Sequence, residues 1–197
     1  WSAVRQISGA DLLAFEHQRL QHLAQSGEQV PPVLAFDGHR LSLGDVGPTV
    51  DECLQRLPPS DHLAMMCAVS ADLARFHARG HWHGGAQVRN LAWSGSGFIR
   101  FDFDRAFDRH LPLPVLQALD ALLFLSSLCA LAGPELLAAA ADAYCAGAPP
   151  PAQAVLGRVL PRAARLDRAA WLQRLAPKEA ERCRRVFAAL AAALPAG

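Results

Sequence analysis

Apolar residues recur at helical spacing through most of the chain, and only two short regions read as strands. Across residues 9–26, Leu12, Phe15, Leu20 and Leu23 fall on one face, which predicts an amphipathic helix with Ser8 as its cap. Val30-Pro31-Pro32 breaks that pattern. Two β-prone runs follow, Val33-Leu34-Ala35-Phe36 and Leu41-Ser42-Leu43, with Asp37-Gly38 between them. An Asp-Gly pair in that setting predicts a hairpin with a two-residue turn, in which both turn residues take positive φ. After Gly47 the chain reads as helix with one interruption. A long helix is expected over 61–79 with Gly80 as its stop. Residues 81–90 show no periodicity and read as a loop. Leu91-Ala92-Trp93 and Phe98-Ile99-Arg100-Phe101 read as short strands joined by Ser94-Gly95-Ser96-Gly97. Further helices are expected at about 113–131, 134–146, 152–166 and 177–194, with Pro149-Pro150-Pro151 connecting two of them.

The length of 197 residues suits one sizeable core with a second small lobe at most. A formal net charge of +1 argues against bulk binding of nucleic acid or anionic membrane, which needs a concentrated cationic excess. The basic residues are almost all arginine, Lys178 being the only lysine, and the heavy use of Ala, Leu, Arg, Gly and Pro suggests a GC-rich bacterial source. Cys53, Cys67, Cys129, Cys145 and Cys183 are odd in number, widely spaced and without a CxxC pair. They read as reduced thiols of a cytoplasmic protein rather than a zinc or disulfide framework. The longest apolar stretches, 111–132 and 134–146, are broken by Asp, Ser, Gly and Pro, so no transmembrane segment is expected, and no signal peptide is read at the start.

The chemistry concentrates in residues 73–104, LARFHARGHWHGGAQVRNLAWSGSGFIRFDFD. A helix ends at Gly80, a polar loop runs from His83 to Asn90, and a hairpin leads to Asp102-Phe103-Asp104. Asn90 and Asp102 offer hard oxygen donors of the kind a divalent cation takes, with Asp104 as a third. The plainer alternative is that Asp102 and Asp104 are solvated turn carboxylates and Asn90 caps the loop. His77, His81 and His83 have the look of a metal cluster, but His77 sits on the helix, and zinc is not expected.

This stretch resembles the catalytic core of protein kinases, with its His-x-Asp-x-x-x-x-Asn loop and its Asp-Phe-Gly metal-binding segment. His83 and Asn90 stand at the loop's separation, and Asp102 and Phe103 occupy the segment's first two positions. His83-Gly84 and Asp102-Phe103-Asp104-Arg105 are most similar in style to small bacterial kinase-like proteins. Those include lipopolysaccharide sugar kinases, aminoglycoside phosphotransferases and the small atypical kinase of the tRNA threonylcarbamoyl machinery. The resemblance covers roughly residues 10–130. It implies an α+β, protein-kinase-like fold, with residues 1–46 as a reduced N-terminal lobe (a helix and a hairpin) and 47–197 as a mainly helical C-terminal lobe. It further implies Mg²⁺ and ATP as cofactors, Asn90 and Asp102 as metal ligands, and His83 and Asp120 as structural braces. Asp120 is similar to the buried helix aspartate that pins the loop's backbone amides. Val46 and Gly47 resemble the hinge beside the adenine pocket, although a plain strand-to-helix turn would look the same. Glu16 resembles the helix glutamate that pairs with the phosphate-positioning lysine, although it also fits a solvated helix face.

The departures matter as much. The position of the catalytic aspartate is held by Gly85, and Gln87 stands where kinases often carry a Lys or His. No lysine or Gly-rich phosphate loop precedes the first helix, and the chain opens on Trp1 rather than Met, so an upstream strand and lysine would shift weight towards an active enzyme. Three readings follow. The favoured one is a degenerate kinase that keeps Mg-nucleotide site residues and acts as a regulator or scaffold with a protein partner. A second is an active atypical phosphotransferase using Asp104 as a substitute base on a sugar, lipopolysaccharide or protein Ser/Thr hydroxyl. The third is an interaction domain with no ligand.

Overall fold

The computed structural model describes residues 9–103, 111–167 and 177–195. Helix α1 (Gly9–Gln25) buries Leu20 and Leu23, the inward end of the apolar stripe, while its expected cap Ser8 lies outside the described residues. Strands β1 (Val33–Phe36) and β2 (Leu41–Leu43) pair antiparallel, with Val33 opposite Leu43 and Phe36 opposite Leu41. The hairpin forms where the sequence places it, but its turn spans four residues, not two. Gly38 takes the left-handed backbone at φ +91°, and Asp37 does not join it. Instead the Asp37 carboxylate accepts the His39 and Arg40 amides at 2.8 and 2.7 Å. That side-chain turn satisfies the tip without forcing a Cβ-bearing residue to positive φ.

From β2 the chain crosses to the second hairpin, where the Pro48 carbonyl accepts the Trp93 amide at 3.0 Å and Thr49 pairs with Ala92. Helix α2 (Val50–Arg56) and helix α3 (Pro59–Ala78) come next. The long helix starts two residues before Asp61, because Pro59 fits the first helical position, where no N–H is needed. Strands β3 (Leu91–Trp93) and β4 (Phe98–Arg100) then pair antiparallel, Leu91 opposite Arg100 and Trp93 opposite Phe98. Helices α4 (Leu113–Cys129), α5 (Pro134–Gly147), α6 (Pro150–Asp167) and α7 (Pro177–Ala193) follow, the last three again opening on proline. The architecture is α+β, mostly helical, with two small two-stranded sheets.

The core sits between α3, α5, α4 and α7, with α6 against α4. Phe76, Phe124, Leu125, Leu128 and Tyr144 are fully buried there, each large apolar side chain contributing about 1.5–3 kcal/mol. Leu20 and Leu23 of α1 belong to the same cluster. Two ion pairs tie the smaller elements to α3. Arg100 of β4 bonds to Asp72 while its guanidinium lies 4.3 Å over the Phe76 ring. Arg79 grips Glu28, in the connector after α1, through two hydrogen bonds. The five cysteines are thiols, with no disulfide among the described residues. Burial pushes the Cys145 thiol up to about 11, and those of Cys53, Cys67 and Cys129 upward as well, so these four are poor nucleophiles. Among the described residues no helix is long and apolar enough to cross a membrane.

Candidate functional site

The loop between α3 and β3 has little secondary structure of its own, so its shape depends on side chains from the core. Asp120 on α4 supplies the main anchor. It is completely buried, and its carboxylate accepts the backbone amides of His83 and, at 2.8 Å, Gly84. The same carboxylate lies 3.4 Å from His77 Nε2, and His77 Nδ1 lies 3.0 Å from the Tyr144 hydroxyl. A buried carboxylate is costly unless it is bonded, and here every neighbour is a donor or can act as one. One turn before Asp120 and two turns after it, α4 makes two further attachments. Gln117 donates to the carbonyls of His77 and His81 at 2.8 and 3.0 Å, and the Ser127 hydroxyl accepts the Val88 amide at 3.1 Å.

His83 is buried and stacks on Phe103, ring centroids 4.5 Å apart and 23° from parallel. The Gly85 amide donates to His83 Nδ1 at 3.2 Å, which makes Nδ1 the acceptor and leaves the imidazole proton on Nε2. Nε2 is buried without a hydrogen-bond partner among the described residues. Burial holds the ring well below its ordinary value of 6.5, at about 4, so it is neutral at pH 7. The sign follows directly. The unfolded chain takes up a proton near pH 6.5 that the folded chain refuses until about 4, so stability falls as pH drops through that window. The expected loss is on the order of 2–3 kcal/mol. Urea unfolding of the parent and of His83→Gln between pH 7 and pH 4.5 checks it. The parent should lose more stability over that range than the variant, and equal losses would mean His83 is not the group responsible.

Gly84 and Gly85 differ in what they require. Gly84 sits at φ +90°, a conformation that disfavours any side chain, whereas Gly85 does not have a positive φ. A Cβ added at Gly85 would meet Asn90 Nδ2 at 3.4 Å, the Asp102 carbonyl oxygen at 3.5 Å and His83 Nδ1 at 3.8 Å, all ordinary contacts. The backbone therefore tolerates a Cβ at this position.

Those three distances also show what converges on Gly85: the side chains of His83 and Asn90 and the backbone carbonyl of Asp102. Asn90 closes a short 3₁₀ turn (Val88–Asn90), and its Nδ2 donates to the Gly85 carbonyl at 2.9 Å. Its backbone carbonyl accepts the Phe101 amide at 3.2 Å, which brings the end of β4 alongside the loop. Asp102 then takes φ +66°, the one non-glycine with positive φ among the described residues. Strain of that kind costs on the order of 1 kcal/mol or more and persists where surrounding bonds enforce it. One such bond comes from α1: Glu16 Oε1 accepts the Phe103 amide at 3.1 Å. Glu16 is half-buried and engaged with this segment, so the solvated-face alternative is set aside.

The remaining expected residues fall as follows. Gln87 is half-buried, with its amide bonded to the Gly85 carbonyl at 2.7 Å. Val46 and Gly47 lie on the crossing segment beside β3, and the Gly47 amide bonds back to Asp45 at 2.9 Å. Asp104 lies outside the described residues. His77 and His83 are committed as above, while His81 faces Glu28 at 3.4 Å. Among the described residues no group of three His, Cys, Asp or Glu is arranged to hold a metal ion.

Sequence reasoning missed Gln117, Ser127, Tyr144 and Arg19. The signal for the first two was present, since Gln117, Asp120 and Ser127 form a polar stripe at i, i+3 and i+10 on a helix whose only other polar residue is Ser126. No protein-family model matches this chain, and no curated protein matches it.

Proposed function

We propose that this chain is the helical lobe of a protein-kinase-like fold with a reduced N-terminal lobe, and that it is a degenerate kinase acting as a regulator or scaffold. The observation that carries the reading is the convergence of His83, Gly85, Asn90 and Asp102, with the loop's amides pinned by Asp120. The left-handed backbone of Asp102 beside this loop is the kind of strain that gathers at ligand-binding sites. The donor set suits Mg²⁺. Asn90 donates Nδ2 to the Gly85 carbonyl, which leaves Oδ1 as an acceptor, and Asp102, whose backbone carbonyl lies beside Gly85, would bring its carboxylate as the second hard oxygen. Mg²⁺ commonly takes one or two protein oxygens and fills its octahedron with water and phosphate, supplying charge neutralisation to a triphosphate. Gly85 offers no proton acceptor, which favours binding over transfer. The thiols fit a reducing, cytoplasmic setting.

The test is ligand-dependent stabilisation. ATP at about its own dissociation constant stabilises the fold by only ~0.4 kcal/mol, or a shift of about 1–2 °C. A small shift of that kind is expected with Mg²⁺ and ATP together, larger than with ATP alone, and lost in Asp102→Asn. A shift that ignores Mg²⁺, or that survives Asp102→Asn, would remove the metal-site reading.

A further inference from the structure

Arg19 is the least comfortable charge on α1. It is half-buried, its Nε has no hydrogen-bond partner among the described residues, and burial drives its pKa downward against the attraction of Asp120. It is nonetheless anchored at its tip. Nη2 donates to the Trp82 carbonyl, and the guanidinium carbon lies 4.8 Å from the centre of the Trp82 ring. Arg19 stands three residues after Glu16, so the two side chains leave neighbouring turns of one helix face. Glu16 holds the Phe103 amide and Arg19 holds the Trp82 carbonyl. Between them the circuit closes through His83, the residue after Trp82, whose ring stacks on Phe103. Two loops about twenty residues apart in sequence thus touch each other and are gripped by adjacent turns of α1.

We infer that Arg19 is a positioning residue: with Glu16 it makes α1 a double clamp that sets the 82–85 and 102–103 loops relative to each other. The inference rests on the functional reading above only for what the loops do once set. Docking of α1 does not need an arginine here. Leu20 and Leu23 already dock α1 on the core. What an apolar residue cannot do is donate to the Trp82 carbonyl.

Two substitutions and two readouts separate positioning from packing. Arg19→Met keeps the stem and removes the donor, and Arg19→Lys keeps a donor. For Arg19→Met the thermal midpoint should stay within about 2 °C of the parent. Amide exchange over 82–85 and 102–103 should nevertheless accelerate about tenfold or more, with α5 and α6 unchanged, as local opening requires. Arg19→Lys should recover part of that protection. The Mg-ATP-dependent stabilisation should weaken in Arg19→Met and be partly regained in Arg19→Lys. Loop exchange unchanged in Arg19→Met would overturn the inference. So would a lowered midpoint with exchange accelerated across the whole chain, because that is the mark of a packing residue. The exchange arm needs no nucleotide. If the parent fails to respond to Mg-ATP, the functional reading falls while Arg19 is still decided by exchange.

Discussion

Asp120→Ala is expected to lower the unfolding free energy by on the order of 3–4 kcal/mol, measured by urea denaturation at pH 7. The substitution leaves two buried amides, those of His83 and Gly84, without acceptors. An unpaired buried donor costs about 1–3 kcal/mol. His77 Nε2 loses its neighbour, and the attraction that offsets the burial of Arg19 disappears with it. Asp120→Asn is the informative companion. Its single carbonyl oxygen can accept one amide well, while its NH₂ would face the other donor, so an intermediate loss is expected. A loss below about 0.5 kcal/mol for Asp120→Ala would place it with ordinary surface substitutions and mean the loop amides are satisfied elsewhere.

How Asp120 was legible, and Arg19 was not, shows where sequence reasoning stops. A lone aspartate in an apolar helix is conspicuous, because burial of a carboxylate demands partners and the donor-rich loop after Gly80 is the natural place to find them. The helices were legible for the same reason: long apolar periodicity with proline at the start and glycine at the stop leaves few alternatives. The hairpin was legible as an element but not in its turn, because an aspartate can either adopt positive φ or bond its own downstream amides. The choice depends on strand geometry outside the dipeptide. Among the site residues, those on the 83–102 stretch were readable from local spacing. Arg19 and Tyr144 were not, because each acts across more than 60 residues of chain, on the Trp82 carbonyl and on the His77 ring, with no polar neighbours at helical spacing to mark it. Such bonds leave no periodic trace. Glu16 lay between these cases: its helix face was visible, but whether it met solvent or the Phe103 amide depended on where α1 docks.

The second large effect concerns turnover. ATP turnover by the unmodified chain is expected near background, at least ~10²-fold below the ~1–100 s⁻¹ of ordinary kinases. Gly85 supplies no side chain to accept a proton, and the one lysine of this sequence, Lys178, stands in α7 rather than near the loop. Positioning the phosphates is most of what phosphoryl transfer requires, so either lack alone would be severe. The two losses act on one step and need not multiply. Gly85→Asp separates them. The backbone there has no positive φ, and a Cβ would sit at 3.4 Å or more from its neighbours, so the backbone accepts the substitution, while the new carboxylate at this buried position is expected to lower the thermal midpoint of a still folded variant. It would restore a carboxylate beside Asn90 and Asp102 while leaving the phosphates unclamped. We therefore expect labelled-ATP turnover by Gly85→Asp to remain at background even if its Mg-ATP-dependent stabilisation changes. Turnover restored by that single substitution would show that the missing base was the whole deficit, and that this chain positions the phosphates by other means. Robust turnover by the unmodified chain, abolished by Asp104→Asn, would instead identify an active phosphotransferase with a relocated base. The three outcomes differ in which variant loses or gains activity, so one assay on three proteins decides among them.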